Sequence, residues 1–222
     1  MSYTYQHPHF AVTTDIVVFT IRAGTLQVLL IKRGAAPFKG RWALPGGFLK
    51  PDEDLEGCAR RELEEETGLS GFYLEQLYTF GAIKRDPRER VITVAHFALI
   101  RSDALELHAD SDAAAAAWAS MDELPQLAFD HDQIIALARR RLAAKLDYSN
   151  IAFQFLPARF TMRELYTVYE TVLGNPIDRR NFYKKMLASG ELKETGEVRL
   201  EGAHRPATVY CLNKPGDVRN LK

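Results

Sequence analysis

Cysteine is scarce in this sequence: there are 2 in 222 residues, Cys58 and Cys211, and they lie 153 positions apart. Such spacing excludes a disulfide framework and a cysteine pair that binds a metal, so the expected compartment is the reducing cytoplasm. The sequence also lacks an apolar run close to the roughly 20 residues that a membrane helix needs, which argues against a membrane partner. The first twenty residues contain no Lys or Arg and therefore make a poor signal peptide.

Net charge is absent as well, since 29 Lys and Arg balance 29 Asp and Glu. With 46% hydrophobic and 26% charged residues, the composition is that of a globular protein and excludes disordered and collagen-like classes. The balance hides an asymmetry, because residues 149–222 hold 12 Lys and Arg against 8 Asp and Glu. The remaining chain holds 17 against 21. A basic C-terminal part is a first indication of a nucleic-acid contact there.

Strand-like and helix-like patterns alternate over the first two thirds of the sequence and predict an α+β fold. β-Branched and aromatic residues predict strands at Val12–Ile21, Leu26–Ile31, Leu74–Phe80 and Val91–Leu99. Periodic apolar residues and end signals predict helices over residues 52–67, ending at Gly68, and from about Asp130 to Leu146. The tract Ala113–Ala117 is expected to form a helical turn, and the stretch from Lys32 to Gly47 is rich in Gly and Pro and predicts a loop.

The pattern of predicted elements changes after a connector at Asn150–Pro157. Thr161 and Glu164 have the spacing of a capping box and predict the start of one helix. Asp178 can cap a second helix, Arg179–Ser189, and two strands are expected at Leu192–Leu200 and Pro206–Leu212. Helix, turn, basic helix and hairpin is the order of a winged helix-turn-helix. The sequence therefore predicts two domains, residues 1–147 and 148–222.

Three carboxylates fall on the apolar side of the first predicted helix. On a helical wheel centred on Glu62, at about 100° per residue, Glu65 and Glu66 lie on the same stripe as Leu55, Cys58 and Ala59. Carboxylates at this spacing repel one another, and their burial without compensation is costly. A hard divalent cation such as Mg²⁺ would resolve both problems. The alternative is a solvated acidic face on a surface helix.

The spacing around these acids favours the metal hypothesis. Gly47, then Glu53 after five residues, then the run Arg61–Leu69 after seven more, fits the Nudix box at every specified position. At average residue frequencies a chance match of this kind occurs about once in a billion registers. The segment resembles the Nudix hydrolase family, and the resemblance extends from about Asp15 to Leu142. It implies an α/β/α sandwich and hydrolysis of a nucleoside diphosphate linked to another moiety.

The resemblance also implies roles for individual residues. Glu62, Glu65 and Glu66 match the family's metal ligands, and the backbone of Gly47 is expected to approach the same ion. The ion is Mg²⁺, with Mn²⁺ as the alternative. Arg61 and Glu53 match the pair that orients the loop–helix–loop and complete the catalytic set. The general base stays open, with Glu106, Asp110 and Asp112 as candidates that could equally be solvated loop acids.

Cations near the box could hold a diphosphate, because guanidinium and ammonium groups bind phosphate oxygens. Each of them could equally be a solvated surface charge. The candidate substrate-binding residues are Lys32, Arg33, Arg41 and Arg85.

The second helix of the C-terminal part is crowded with residues that suit DNA. Arg and Asn side chains match guanine and adenine edges in the major groove, and Lys favours phosphate. Arg205, near the expected hairpin tip, would serve a wing. The alternative is a basic helix that only packs. The candidate DNA-binding residues are Arg179, Arg180, Asn181, Lys184, Lys185 and Arg205.

A second resemblance covers nearly the whole chain. The segments Phe153–Glu170, Asp178–Met186 and His204–Ala207, together with the turn Lys84–Arg88, are similar to Nudix-related transcriptional regulators of NAD metabolism. This implies an ADP-ribose-binding Nudix domain fused to a DNA-binding winged helix, in a homodimer on a double-stranded operator. Many members have a decayed box and only sense the ligand, whereas the box is complete here.

Three hypotheses follow from these patterns. In the first, the chain is a hydrolase whose appended domain only dimerises. In the second, it is a repressor that binds its ligand without turnover. The third combines both, so that a Mg²⁺-dependent protein hydrolyses ADP-ribose or a related nucleoside diphosphate sugar and also binds DNA. The intact box favours the first and third, and the basic helix favours the second and third.

Overall fold

The computed structural model describes residues 6–101, 116–200, 206–214, 216 and 218–220. The chain divides into two compact units. The first comprises the described parts of Met1–Phe19, Val28–Ala98 and Glu106–Ala138, and the second those of Thr20–Gln27, Leu99–Leu105 and Arg139–Lys222. The division falls inside a helix, His131–Tyr148, and the domain boundary expected near residue 147 stays a prediction.

A mixed sheet dominates the N-terminal elements. Its strands are β1 (Ala11–Arg22), β2 (Thr25–Lys32), β3 (Trp42–Ala43), β4 (Gly46–Phe48), β5 (Tyr73–Phe80), β6 (Val91–Leu99) and β7 (Ala116–Ser120). The order is β3-β2-β1-β6-β5, with β4 paired to β1 and β7 paired to β2. The helices are α1 (Leu55–Thr67) and α2 (His131–Tyr148). Strand β1 is buried without interruption from Thr13 to Thr20, because other elements cover both of its faces.

The second unit carries the C-terminal elements. A short 3₁₀ helix, Ile151–Phe155, precedes β8 (Phe160–Thr161), α3 (Met162–Leu173), α4 (Arg179–Ala188), β9 (Leu192–Arg199) and β10 (Ala207–Leu212). The three strands form an antiparallel sheet in the order β8-β10-β9. Helix α3 buries Leu165, Val168 and Val172, and α4 buries Phe182 and Met186.

The predicted capping signals are confirmed at both C-terminal helices. Thr161 and Glu164 form a complete capping box at the start of α3. The Asn181 N–H donates to the Asp178 carboxylate at 2.8 Å at the start of α4. The predicted strands of both units are present within one or two residues, and the α+β class is confirmed.

Three local predictions were wrong. Helix α1 begins at Leu55 and not at residue 52, because the Asp54 carboxylate caps it by accepting a hydrogen bond from the Gly57 N–H. Ala116 and Ala117 lie in strand β7 and not in a helical turn, since pairing with β2 overrides alanine's helix preference; residues 113–115 lie outside the described residues. The predicted loop before the box contains two short strands, β3 and β4.

Among the helices that the structure describes, none combines the length and apolarity needed to cross a membrane.

Candidate functional site

A cleft of about 140 Å³ lies in the first unit, over β1 and β4. It brings together acids, arginines and aromatic rings that are far apart in sequence. The residues that line it are Thr13, Asp15, Ile31, Arg33, Leu44, Gly46, Gly47, Phe48, Glu66, Arg85, Asp86, Arg88, Val91, Phe129 and His131.

Two glycines bring β4 close to its neighbours. Gly46 and Gly47 pair with Asp15 and Thr14 of β1. A Cβ atom on Gly46 would lie 2.1 Å from the Thr14 carbonyl oxygen, and its φ of 150° is one that other residues rarely adopt. A Cβ atom on Gly47 would lie 2.2–2.5 Å from the Glu62 carboxylate. Glycine at position 47 therefore lets the backbone lie directly against that acid.

Glu66 is the acid of the box that lines the cleft. Its Oε2 accepts a hydrogen bond from the Gly46 N–H at 2.9 Å. Burial raises the pKa of Glu66 to about 8, and the negative charges of Glu62 and Asp15 act in the same direction. The Gly46 hydrogen bond and the Arg33 charge oppose that rise. The carboxylates of Glu62 and Asp15 thus make the surroundings of Glu66 electronegative.

Arg61 organises the remaining acids of the box. Its guanidinium donates to both oxygens of Glu53, with Nη2 at 2.7 Å and Nε at 2.9 Å. Its Nη1 also donates to Glu62 at 2.7 Å and to Glu65 at 3.0 Å. The Arg61 hydrogen bonds lower the pKa of Glu53 to about 2. Glu53 in turn accepts from the Lys50 N–H at 2.8 Å and so fixes the loop that leads into α1.

The predicted burial of the three glutamates holds for two of them. The buried residues of α1 are Cys58, Ala59, Leu63 and Thr67. On the same wheel the buried residues extend from about −40° at Cys58 to about +140° at Thr67, measured from Glu62. Glu62 at 0° and Glu66 at about +40° lie within this arc and are half-buried. Glu65 at about −60° lies just outside the arc, and its side chain is 52% exposed, so the expectation for Glu65 was wrong.

These residues fit a divalent cation by their chemistry. Within the described part of the chain, no three His, Cys, Asp or Glu side chains are already drawn around one point, because Glu62 and Glu65 face Arg61 and Glu66 faces Gly46. The charges of Glu62 and Asp15 nevertheless bear on Glu66, and hard oxygen donors suit Mg²⁺. A bound cation would offset this repulsion.

The predicted substrate cations differ in their placement. Arg33 lines the cleft; its Nε donates to the Pro37 carbonyl at 2.8 Å and its Cζ lies 4.8 Å from the centre of the Phe129 ring. Burial lowers the pKa of Arg33, and the positive charge of Arg88 adds to that effect. Lys32 and Arg41 are exposed and are not among the described residues that line the cleft.

Arg85 also lines the cleft, but its guanidinium is already engaged. It donates to both oxygens of Asp130, at 2.8 and 3.1 Å, and to Asp15 at 3.2 Å. His131 lies beside the same pair: its Nδ1 accepts from the Leu44 N–H at 2.8 Å, and its Nε2 is 3.6 Å from Asp15. Burial lowers the pKa of His131 and favours a neutral ring that carries its proton on Nε2.

Sequence reasoning missed several residues of the cleft wall. Arg88 belongs to the charged turn that was recognised, yet nothing in the turn distinguished it from its neighbours. Phe129 and His131 begin the region of α2, more than 60 residues after the box, and gave no signal of their own. The general-base candidates Glu106, Asp110 and Asp112 lie outside the described residues.

In the second unit, α4 presents a basic surface. Phe182 and Met186 turn inward, and the predicted DNA-binding residues on this helix are all exposed: Arg179, Arg180, Asn181, Lys184 and Lys185. Arg179 differs from the others because its guanidinium donates to the Tyr183 hydroxyl at 3.1 Å and lies 5.9 Å from the Tyr166 ring centre. Arg205 lies outside the described residues.

Comparison with known proteins gives a consistent result for both parts of the chain. The family model of the NUDIX domain matches residues 11–138, and that of the NrtR DNA-binding winged helix domain matches residues 152–212. The Nudix fold and the winged helix expected from the sequence are thereby confirmed.

Three similar proteins illustrate the match. The ADPR-responsive transcriptional repressor NtrR of Acinetobacter baylyi is 38% identical over 208 residues, which is 92% of this chain and 82% of that protein. An ADP-ribose pyrophosphatase of Methanocaldococcus jannaschii is 40% identical over 131 residues, 59% of this chain and 73% of that protein. The crystal structure of Shewanella oneidensis NrtR complexed with a 27mer DNA is 38% identical, with a TM-score of 0.79, and the match covers 91% of this chain and 93% of that chain.

The hydrolases of this family generally use a divalent metal, in keeping with the oxygen-rich wall of the cleft. Since the NUDIX model covers more than half of the chain and the winged-helix model most of the remainder, the chain belongs to the Nudix family, in the NrtR-type group that joins a NUDIX domain to a DNA-binding winged helix.

Proposed function

We propose that this protein is a transcriptional repressor that responds to ADP-ribose and that its NUDIX cleft also hydrolyses this ligand. The observation that carries the proposal is the complete box: Gly47 and Glu66 line the cleft, and Arg61 holds the other box acids, Glu53, Glu62 and Glu65, together. A related nucleoside diphosphate sugar is the alternative ligand. The relatives support the ligand, since one is named as ADPR-responsive and another as an ADP-ribose pyrophosphatase.

The cleft suits a diphosphate electrostatically. Arg33 and Arg88 are close enough for the charge of Arg88 to lower the pKa of Arg33. An anion bound by Arg33 would offset this repulsion and form charge-assisted hydrogen bonds with that guanidinium. Arg33 is therefore the primary phosphate-binding residue, and Lys32 and Arg41 would contact only the outer part of the ligand. Direct phosphate contact by Arg85 would compete with its hydrogen bonds to Asp15 and Asp130.

The acids of α1 would hold the metal. Glu62, Glu65 and Glu66 would supply carboxylate oxygens. The small size of Gly47 lets the backbone approach them. The Arg61–Glu53 ion pair fixes the loop against the helix. Mg²⁺ is the proposed ion, with Mn²⁺ as the alternative; when bound, it polarises phosphoryl oxygens and lowers the pKa of a bound water. Glu66, which is half-buried and is the one of the three glutamates that lines the cleft, is the ligand on which the site depends most.

The winged helix is the part of the protein that would bind DNA. The exposed residues Arg180, Asn181, Lys184 and Lys185 present base-reading and phosphate-binding groups on one helix, and Arg179 and Arg205 are proposed to contact DNA beside them. ADP-ribose can change DNA affinity only if it binds one state of the protein better than the other. A homodimer in the cytoplasm, with domains at residues 1–147 and 148–222, completes the proposal.

Two alternatives remain distinct from this proposal. A repressor that binds ADP-ribose without turnover is favoured by the relatives that are named as regulators. A plain hydrolase whose second domain only dimerises is favoured by the intact box. Turnover and DNA binding, measured separately on one preparation, distinguish all three.

The first test is incubation of the purified protein with ADP-ribose and Mg²⁺, followed by detection of AMP and ribose 5-phosphate. The Glu66→Gln variant should lose activity by at least about 10- to 100-fold, since mutation of even the outer partners of a metal site has that effect. Glu64→Gln is the matched control, because Glu64 lies on the exposed side of the same helix. Its turnover should equal that of the wild type.

The result also separates the alternatives. No turnover in the wild type, with ADP-ribose binding still seen by calorimetry, would make the NUDIX domain a sensor only. Absence of both turnover and binding would contradict ADP-ribose as the ligand. Equal turnover in wild type and Glu66→Gln would contradict the metal assignment.

A further inference from the structure

One wall of the cleft presents planar side chains, namely two aromatic rings and a guanidinium. Phe48 follows the box glycines directly, and 42% of its surface is exposed although it is a large apolar residue. The Cζ of Arg88 lies 5.4 Å from the centre of the Phe48 ring and 6.0 Å from that of Phe129. The three side chains line the same cleft as Glu66 and Arg33. An aromatic face and a guanidinium face thus stand beside the proposed diphosphate site.

Arg88 is held in place by a buried carboxylate. Both oxygens of Asp86 accept from its guanidinium, at 2.7 and 3.1 Å, and the Arg88 N–H donates to Asp86 at 2.9 Å. Only 3% of the Asp86 side chain is exposed, whereas 41% of the Arg88 side chain is. Asp86 therefore fixes the edge of the Arg88 guanidinium against the aromatic rings, while the Arg88 side chain stays partly accessible to a ligand.

Phe129 connects this wall to the phosphate side of the cleft. The Cζ of Arg33 lies 4.8 Å from its ring centre, closer than that of Arg88. The ring is itself supported by an edge contact with Phe38. The Phe129 ring thus lies against both Arg33 and Arg88 and links the two parts of the cleft.

From this arrangement we infer that Phe48 and Arg88, backed by Phe129, form a nucleobase-binding subsite that stacks the adenine of the ligand. The inference rests on the proposed function, in which the ligand is a nucleoside diphosphate. A purine offers a planar aromatic face, and such faces stack on Phe rings and on guanidinium planes, whereas a phosphate group has no such face. The subsite gives the cleft a preference for nucleotides over other diphosphates.

The chain contains a matched control for this subsite. Phe10 is 50% exposed and has the Cζ of Arg90 at 5.6 Å from its ring centre, almost the geometry of Phe48 and Arg88. Neither Phe10 nor Arg90 is among the described residues that line the cleft. Phe10→Ala therefore removes an exposed ring with a stacked arginine and leaves the proposed subsite intact.

The test is calorimetric binding of three probes, ADP-ribose, ADP and inorganic pyrophosphate, without added divalent metal so that ADP-ribose is not hydrolysed during the titration. Phe48→Ala should weaken binding of ADP-ribose and ADP by about 5- to 100-fold, the range found when an aromatic stacking partner is removed. Pyrophosphate binding should not change, because it has no base. Phe48→Trp should retain nucleotide affinity, and Phe10→Ala should bind all three probes like the wild type.

A second variant separates stacking from charge. Arg88→Lys keeps the positive charge but loses the planar guanidinium. It should weaken ADP-ribose and ADP binding while pyrophosphate binding is kept. Equal weakening of all three probes would show that the Arg88 guanidinium hydrogen-bonds phosphate and would overturn its part in the subsite.

The outcomes separate this inference from the proposed function. Wild-type protein that binds ADP but not ADP-ribose, with ADP binding lost in Phe48→Ala, would support the subsite and contradict the proposed ligand. Tight ADP-ribose binding that is unchanged in Phe48→Ala would support the ligand and overturn the subsite. Wild-type protein that binds neither nucleotide would overturn both.

Discussion

At the scale of single residues, the buried guanidinium of Arg85 links two segments that line the cleft, and its removal would test whether this link stabilises the fold. Its side chain is 3% exposed and lies between Asp15 and Asp130. Buried ion pairs contribute little net stability when intact, but removal of one partner leaves an uncompensated charge and is strongly destabilising. Arg85 therefore ties strand β1 to the start of α2 beneath the cleft.

Arg85→Leu should lower the free energy of unfolding by about 3–5 kcal/mol, because two carboxylates lose their buried partner. Urea unfolding followed by tryptophan fluorescence measures this, since Trp42 and Trp118 both belong to the first unit. Lys84→Leu is the control: this neighbouring cation is exposed, and its replacement should change stability by no more than about 0.5 kcal/mol. A loss below about 1 kcal/mol in Arg85→Leu would contradict a structural role.

Single residues were predictable where a motif fixed their spacing. Gly47, Glu53, Arg61 and the three glutamates were found from local sequence, and Arg33 was found because it stands close to the box. Arg88, Phe48 and Phe129 were not recognised as one wall, since they meet only after three separate segments fold around the cleft. The exposure of Glu65 was also missed, because the wheel was centred on Glu62, whereas the buried face is centred between Glu62 and Leu63 and ends before Glu65.

At the scale of elements, the start of α3 shows how a local signal can be decisive. The Glu164 N–H donates to the Thr161 hydroxyl at 3.2 Å, and the Thr161 N–H donates to the Glu164 carboxylate at 2.6 Å. Arg199 of β9 donates to the same carboxylate at 2.9 and 3.0 Å. The capping box thus joins the helix start to a strand of the small sheet.

Thr161→Ala should destabilise the second unit by about 1 kcal/mol, the usual cost of a lost N-terminal cap. Urea unfolding followed by far-UV circular dichroism measures the effect. Thr161→Ser keeps the hydroxyl and should recover most of the lost stability. If the serine and alanine variants were equally destabilised, the missing methyl group and not the cap would be responsible.

Elements were predictable where local chemistry favours them and were missed where distant pairing creates them. The capped helices and the strands rich in β-branched residues follow from their own sequences. Strand β4 forms in a Gly-rich segment because Phe48 pairs with Thr13 and Gly46 with Asp15. Strand β7 forms in an alanine tract because it pairs with β2. Neither partner could be identified from local patterns.

At the scale of the whole molecule, the N-terminal part of the chain carries an excess of acids and the C-terminal part an excess of bases. The excess of acids in the first 148 residues includes those of the box, and the excess of bases in residues 149–222 includes those of α4. Because the totals cancel, attraction to DNA must come from the local surface of α4 and not from net charge. The DNA contact should therefore be sensitive to a few cations and to salt.

Arg180→Ala combined with Lys184→Ala should weaken binding to a mixed-sequence duplex at low salt, and the slope of log affinity against log salt should fall by about one for each phosphate contact that is lost. Fluorescence anisotropy over a salt series measures both quantities. The matched control is Lys39→Ala with Lys84→Ala, which removes the same charge from exposed positions of the first unit. Long-range attraction would weaken equally in both double variants, whereas a direct contact through α4 predicts a change only in the first. Equal behaviour of the two, or no duplex binding by the wild type at low salt, would contradict α4 as the DNA-contacting helix.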